Sequence, residues 1–351
     1  MKSLSKAVEQ ELVSNLQGML TGQFSVTKDT HVCVIYDTTS PLAEIITQGY
    51  RDALVSHPKE KQSFLDFNAH THEELVQKVD QFSPGDFVAL VQSHSFRVSV
   101  YRWRLELFAR KLKVAEHMRL SYMPAEQFPT YIRCIKNDSP YFLRATKKLA
   151  ALFRKSKHIK VECMQGSIAE IHSEMEEPVS NTGEFSEKEA NVGGGIPFGE
   201  IFSEPKDISK WEGEVEVFAF PGEDHKMIFT PSFKLKIKAG HVAVKESNIP
   251  ASFMPLIEMM QQENANGEIP IREFGLGLNR AISRENPLTE ATAWERGAGL
   301  HFSLGMKHGA YQKKFAKNKE LNQRYHIDIY PDVKRIWIAE TLVYEGGKFL
   351  V

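Results

Sequence analysis

THVCVIYDTTSPLAEIITQGYRDALVSH, residues 30–57, is the stretch whose reading decides the fold. From His31 to Tyr36 it holds the mainly apolar run HVCVIY, with Val32, Val34 and Ile35 β-branched, the signature of a short buried strand. Asp, Thr, Ser and Pro then cluster between Asp37 and Pro41, which marks a turn. From Leu42 onward the apolar residues return at helical spacing. A strand that feeds a helix through a tight turn is the first step of a βαβ unit.

The same rhythm extends outward from this stretch. Leu4 to Leu20 reads as an amphipathic helix, EELVQKVDQF (73–82) as a helix and DFVALVQ (86–92) as an apolar strand. VYRWRLELFARKLKVAEH (100–117) reads as one long amphipathic helix, and Leu120 to Met123 as a further strand. Residues 1–145 therefore predict an open, Rossmann-like α/β domain. No GxGxxG follows either strand and no GxxxxGK[ST] occurs, so this half has the rhythm without a phosphate-binding loop and no nucleotide is assigned to it.

The texture changes after the helical stretch YFLRATKKLAALFRKS (141–156). KHIKVECM (157–164) reads as a strand, and residues 165–192 are polar, acidic and irregular. EVEVFAF (214–220) and FKLKIKAGHVAV (233–244) alternate as antiparallel strands do. FMPLIEMMQQEN (253–264) is a helix, and residues 326–351 close the chain as strand, turn and hairpin. Residues 146–351 thus predict a β-rich α+β domain, and the whole chain an α/β protein of two domains.

Composition bounds the function. Lys plus Arg total 44 against 45 Asp plus Glu, a net charge of −1, so no global field draws the chain to nucleic acid or to an anionic membrane. At 42% hydrophobic and 25% charged, disorder of the whole chain is excluded. Cys33, Cys134 and Cys163 are too few and too scattered for a disulfide framework or a CxxC metal site. No apolar run has the length of a membrane span or of a signal-peptide core, and the expected compartment is the reducing cytoplasm.

The chemistry concentrates in the last half. NVGGGIPFGEIFSEP (191–205) reads as a Gly-rich loop that presents Glu200, and REFGLGLNRAI (272–282) sets Glu273 ahead of a Gly-x-Gly. GAGLHFSLGMKHGAY (297–311) carries His301 and His308. In RYHIDIY (324–330), a strand would aim His326 and Asp328 at one face, as a metal half-site or as a hydrogen-bonded pair. Taken singly, each has a plainer reading: a loop carboxylate, a core histidine, a solvated strand edge. His70 and His72 look like a ligand pair but sit among polar residues between elements, and read as a solvated loop. No HExxH occurs.

In combination and order, these segments resemble the thermophilic-type metalloaminopeptidases, the family of aminopeptidase T and aminopeptidase S, over residues 190–351. The family's Gly-Glu-Val-Phe segment matches GEIF and implies that Glu200 is a metal ligand. Its second glutamate matches Glu273, its His-Ile-Ala-Leu-Gly strand matches LHFSLG at His301, and its His-x-Asp matches His326 and Asp328. The resemblance implies two divalent ions (Zn, Co or Mn), a peptide substrate with a free N-terminus, and a homodimer. In that scheme Glu273 bridges the ions, and His308 serves the reaction as oxyanion partner or proton donor. Two departures stand out. The family's tyrosine near the metals is replaced by His308, with Tyr311 three residues on, and Ile196-Pro197-Phe198 is inserted ahead of Gly-Glu. More distantly the chain resembles the 2,5-dihydroxypyridine dioxygenases, for which His301, His326 and Asp328, or His308 in place of one, would supply a facial triad for a single Fe(II). A non-catalytic member of the fold is the third alternative.

Overall fold

The computed structural model describes residues 4–98, 101–136, 138–185, 192–263, 266–297, 299–311 and 325–351. Two compact units divide the chain, and neither is a single run of it. The first comprises Met1–Ser139, Thr182–Phe198 and Arg284–Trp294; the second comprises Pro140–Asn181, Gly199–Ser283 and Glu295–Val351. The expected cut between residues 145 and 146 falls inside one helix, Ser139–Lys155.

The first unit is built on a five-stranded sheet. In spatial order its strands are Gly193–Ile196, Lys113–His117, Phe87–Val91, Val32–Tyr36 and Gln62–Asp66, and every pairing is parallel. Strands covered on both faces must be apolar throughout, and Val32–Ile35 and Phe87–Val91 are fully buried. The helix after the first strand, Pro41–Ala53, starts where the turn chemistry places it: Ser40 caps it by accepting the Ala43 N–H, and Pro41 takes the first position.

Three expectations need correction here. Residues 100–117 are not one helix; the helix is Trp103–Ala109, and the chain reverses at Lys111, whose φ is +59°. The apolar residues after it, Val114 and Ala115, belong to the strand Lys113–His117. Leu120–Tyr122 is a single 3₁₀ turn rather than a strand. The three glycines are not a loop: Gly193–Ile196 is the edge strand of the parallel sheet. A Cβ on Gly193 would stand 1.9 Å from the Val114 carbonyl oxygen, so the glycine there serves close strand pairing.

The second unit carries an antiparallel sheet of thirteen strands. Residues 165–192 contribute to it through Ile168–Ile171 and Val179–Asn181, so the stretch is not wholly irregular. The part that matters for function is the consecutive set Glu200–Ser203, Ile271–Gly277, Gly299–Gly305 and His326–Pro331, each antiparallel to the next. One face of this set is core: Phe302 meets Trp211 edge-on at 4.9 Å, and Phe274 packs on Phe302 and Phe153. Both Phe274 and Phe302 are fully buried, each worth about 1.5–3 kcal/mol of apolar burial.

Candidate metal centre

Strand alternation brings the polar residues together. With Ile201, Leu276, Leu300, Phe302, Ile327 and Ile329 turned into the core, Glu200, Glu273, His301, His326 and Asp328 share the opposite face. The register aligns them: Glu200 faces Gly277, Gly275 faces His301, Ser303 faces Asp328, and Gly305 faces His326. Glycines stand across from the large ligand-type side chains and leave them room. The ladder slips between Ile271 and Phe274, and the Glu273 N–H donates instead to Ser303 Oγ at 3.0 Å. Gly199, at φ +112°, turns the chain into Glu200; a Cβ there would lie 2.7 Å from the Phe142 ring.

Glu273 is the centre of the arrangement. Its Oε1 lies 3.2 Å from His301 Nε2, and its Oε2 lies 3.7 Å from His326 Nε2. His301 Nε2 is also 3.4 Å from Glu200 Oε1, and His326 Nε2 is 3.3 Å from Asp328 Oδ1. Two groups of potential ligands result, Glu200–Glu273–Glu295–His301 and Glu273–His326–Asp328, with Glu273 common to both. Glu200 Oε1, Glu273 Oε2 and Asp328 Oδ1 are buried without a hydrogen-bond partner. Orphaned carboxylate oxygens around shared space are what a bound cation satisfies, so the donor set fits divalent metal.

The electrostatics agree. Burial alone would lower both imidazole pKa values, but Glu200 and Glu273 beside His301, and Asp328 and Glu273 beside His326, override it. His301 is raised well above its ordinary value and His326 to about 10. His326 Nδ1 lies 3.2 Å from the Met306 carbonyl oxygen and donates to it, which turns Nε2 toward the carboxylates. That nitrogen must therefore carry a proton or face a cation. Burial pushes Glu200 up to about 8, in spite of Arg296 Nη1 at 2.6 Å. Burial acts the same way on Glu295, but Arg296 Nη1 at 2.7 Å and His301 overcome it and hold that carboxyl down.

His308 and Tyr311 take different places. The His308 ring lies 5.6 Å from that of His326 and 4.5 Å from Phe202. Its Nδ1 accepts the Ala310 N–H, which leaves the proton of the neutral ring on Nε2, and burial lowers its pKa. The Tyr311 hydroxyl donates to the Glu177 carbonyl at 2.8 Å and lies 3.3 Å from that of Phe202, so its proton is engaged by backbone. His70 and His72 belong to the first unit: His70 bonds the Asp66 carbonyl, and His72 opens the helix His72–Val79.

Sequence reasoning missed three participants. Glu204 is buried, accepts the His308 N–H at 2.7 Å and leaves Oε2 without a partner. Its signal was present, since alternation from Glu200 reaches it. Glu295 and Arg296 had none; adjacent opposite charges at the end of the short helix Ala291–Glu295 read as solvent-facing, and the pairing of the Asn279 N–H with the Arg296 carbonyl helps to bring them in.

No family model matches this chain, and no curated protein matches it by sequence. Among solved structures, a 2,5-dihydroxypyridine dioxygenase from Pseudomonas putida KT2440 is similar with a TM-score of 0.63 and 14% identity, over 99% of this chain and 98% of that one. AmpT (aminopeptidase T) from Thermus thermophilus is similar with a TM-score of 0.58 and 11% identity, over 97% of this chain and 99% of that one. The likeness is one of fold: a parallel sheet in one unit and a large antiparallel sheet in the other. Both neighbours are enzymes.

Proposed function

We propose that this chain is a metal-dependent aminopeptidase that releases N-terminal residues from peptides and works with two divalent cations of the Zn, Co or Mn class. The observation that carries the reading is the position of Glu273, with one carboxylate oxygen toward His301 and the other toward His326. A carboxylate split between two ligand groups suits a bridge between two ions. Glu200 and His301 would hold one ion, and His326 and Asp328 the other. Cations held there supply a water acidified toward neutrality and a polarised carbonyl. The chain's own groups do the rest. His308 holds a proton on Nε2 for the leaving amine or the oxyanion. A cytoplasmic homodimer completes the proposal.

The test combines metal analysis with hydrolysis of aminoacyl amides. Two ions per chain, and turnover abolished by a chelator and restored by Zn, Co or Mn, are expected. No hydrolysis with any of the three sinks the proposal.

One observation favours a second reading. Arg296 already gives Glu200 and Glu295 a fixed positive charge, where a second cation would otherwise act. A single Fe(II) then needs only the Glu273–His326–Asp328 group, since His301 falls in the other group and does not complete the expected triad, and oxygen uptake after anaerobic iron loading tests it.

A further inference from the structure

A second group of metal-type ligands lies on a different part of the large sheet. Ile159–Cys163 and Ile168–Ile171 form an antiparallel pair in which Ile159 faces Ile171 and Lys160 faces Glu170. Continuing that register sets His158 opposite His172, with Glu170 on the same face. The two imidazoles lie parallel, their centroids 4.7 Å apart with a 2° interplanar angle. His158 Nε2 is 3.2 Å from Glu170 Oε1, and His172 Nε2 is 3.7 Å from Glu170 Oε2. Separations of this size suit ligands around one small ion. The strand Trp211–Pro221 separates this pair from the strand of His326 and Asp328, and the groups share no residue.

The surroundings orient the ligands. Both His158 ring nitrogens face carboxylates, Nδ1 at 3.1 Å from Glu340 Oε1 and Nε2 at 3.2 Å from Glu170 Oε1; with an ion between His158 and Glu170, Glu340 would hold the proton on Nδ1 and Nε2 would be the ligand. Glu340 reaches it from the turn between Val333–Ile338 and Thr341–Glu345, where Ala339 and Glu340 both have positive φ. The turn is tied down, because the Ala339 N–H donates to the His158 carbonyl. The His172 N–H donates to the Lys210 carbonyl. Lys157, the neighbouring cation, pairs with Glu174.

We propose that His158, His172 and Glu170 form a binding site for one borderline transition cation of the zinc class, with Glu340 as the carboxylate that orients His158. Two imidazoles and one carboxylate leave the remaining coordination to water. The ion would clamp this hairpin where it borders the Val333–Ile338 strand.

The test uses the full chain in the Glu273→Ala background, which removes the shared ligand of the central site and keeps the two sites apart. Metal-stripped protein is titrated with ZnCl₂ at pH 7.5 by calorimetry and followed by thermal melting. One ion per chain and a raised Tm are expected, both lost in His172→Gln, a change at an exposed side chain that preserves the fold. Glu340→Gln should weaken binding roughly tenfold to hundredfold, as the loss of an orienting carboxylate does. Cu(II) in place of zinc should give an electron-paramagnetic spectrum with two coupled nitrogens, absent in His172→Gln. Unchanged zinc stoichiometry and affinity in His172→Gln, or no binding in the parent, overturns the site, and neither result bears on the aminopeptidase reading.

Discussion

His301 occupies the space that a side chain on Gly275 would need. The two residues face one another across adjacent strands, and a Cβ on Gly275 would stand 1.9 Å from His301 Nε2. The imidazole is sandwiched between this bare backbone and the carboxylates of Glu200 and Glu273. Gly275→Ala must therefore push the ring off its position, at a cost of about 1–3 kcal/mol of overpacking. The variant should fold, melt lower and bind less metal. Normal metal content by elemental analysis would show that the ring needs no such clearance.

Glu273 and Asp328 should differ in their metal phenotypes. Glu273 belongs to both ligand groups and Asp328 to one. Glu273→Ala should lose all metal from the central site, whereas Asp328→Ala should keep part of it. Elemental mass spectrometry of the two proteins, each also carrying His172→Gln, reads the difference. Equal loss in both would favour a single ion.

Metal-free protein should become less stable as pH rises. The folded-state pKa of His326 is raised to about 10 and that of Glu200 to about 8, so each folded group holds its proton where the unfolded one has released it. For His326 the contribution is complete below about 6.5, the unfolded value, and lost as pH rises toward 10. For Glu200 the same sign applies between its unfolded carboxyl range and about 8. Metal binding replaces these protons, so it should release protons at neutral pH and flatten the decline. Urea melts at several pH values, with and without ZnCl₂, check both. Metal-free stability that rises across this window contradicts the assignment.

Arg296 holds two buried carboxylates, Glu200 and Glu295, on one guanidinium. Arg296→Met should destabilise the metal-free protein by about 3–5 kcal/mol, because the ionised Glu295 loses its buried counter-charge and Glu200 its neighbouring donor. Added divalent cation should recover part of the loss. Denaturant midpoints measured with and without metal decide it.

In the first unit, His117 should confer acid sensitivity. It is fully buried between the Tyr50 and Tyr131 hydroxyls, at 2.9 and 2.8 Å, and burial lowers its pKa to about 3. A depressed pKa contributes stability that is complete above the unfolded value near 6.5 and falls as pH drops toward 3. His117→Asn should be less stable at pH 7 but show a shallower decline between pH 6.5 and 4. An unchanged slope would place the acid sensitivity elsewhere.

The parts legible in the sequence were those set by local pattern. The strand and helix of residues 30–57 follow from apolar spacing, and the pairing of His326 with Asp328 follows from strand alternation. What needed the structure was long-range. Gly193–Ile196 has no strand propensity of its own and is extended because it pairs with Lys113–His117. Glu295 and Arg296 enter the site through a backbone pairing that no periodicity encodes. Tyr311, which the resemblance set beside His308, donates its hydroxyl proton to backbone.

The edge strand Gly193–Ile196 has a bearing on how the protein is made. The first unit lacks its fifth strand, and the segment Arg284–Trp294, until those residues leave the ribosome, by which point much of the second unit is already synthesised. The first unit can close only once Trp294 has emerged, and the second only once the residues from Glu295 onward have followed. A nascent chain halted near residue 145 would expose Lys113–His117 as an open sheet edge, a surface for chaperones or for aggregation until the glycines arrive.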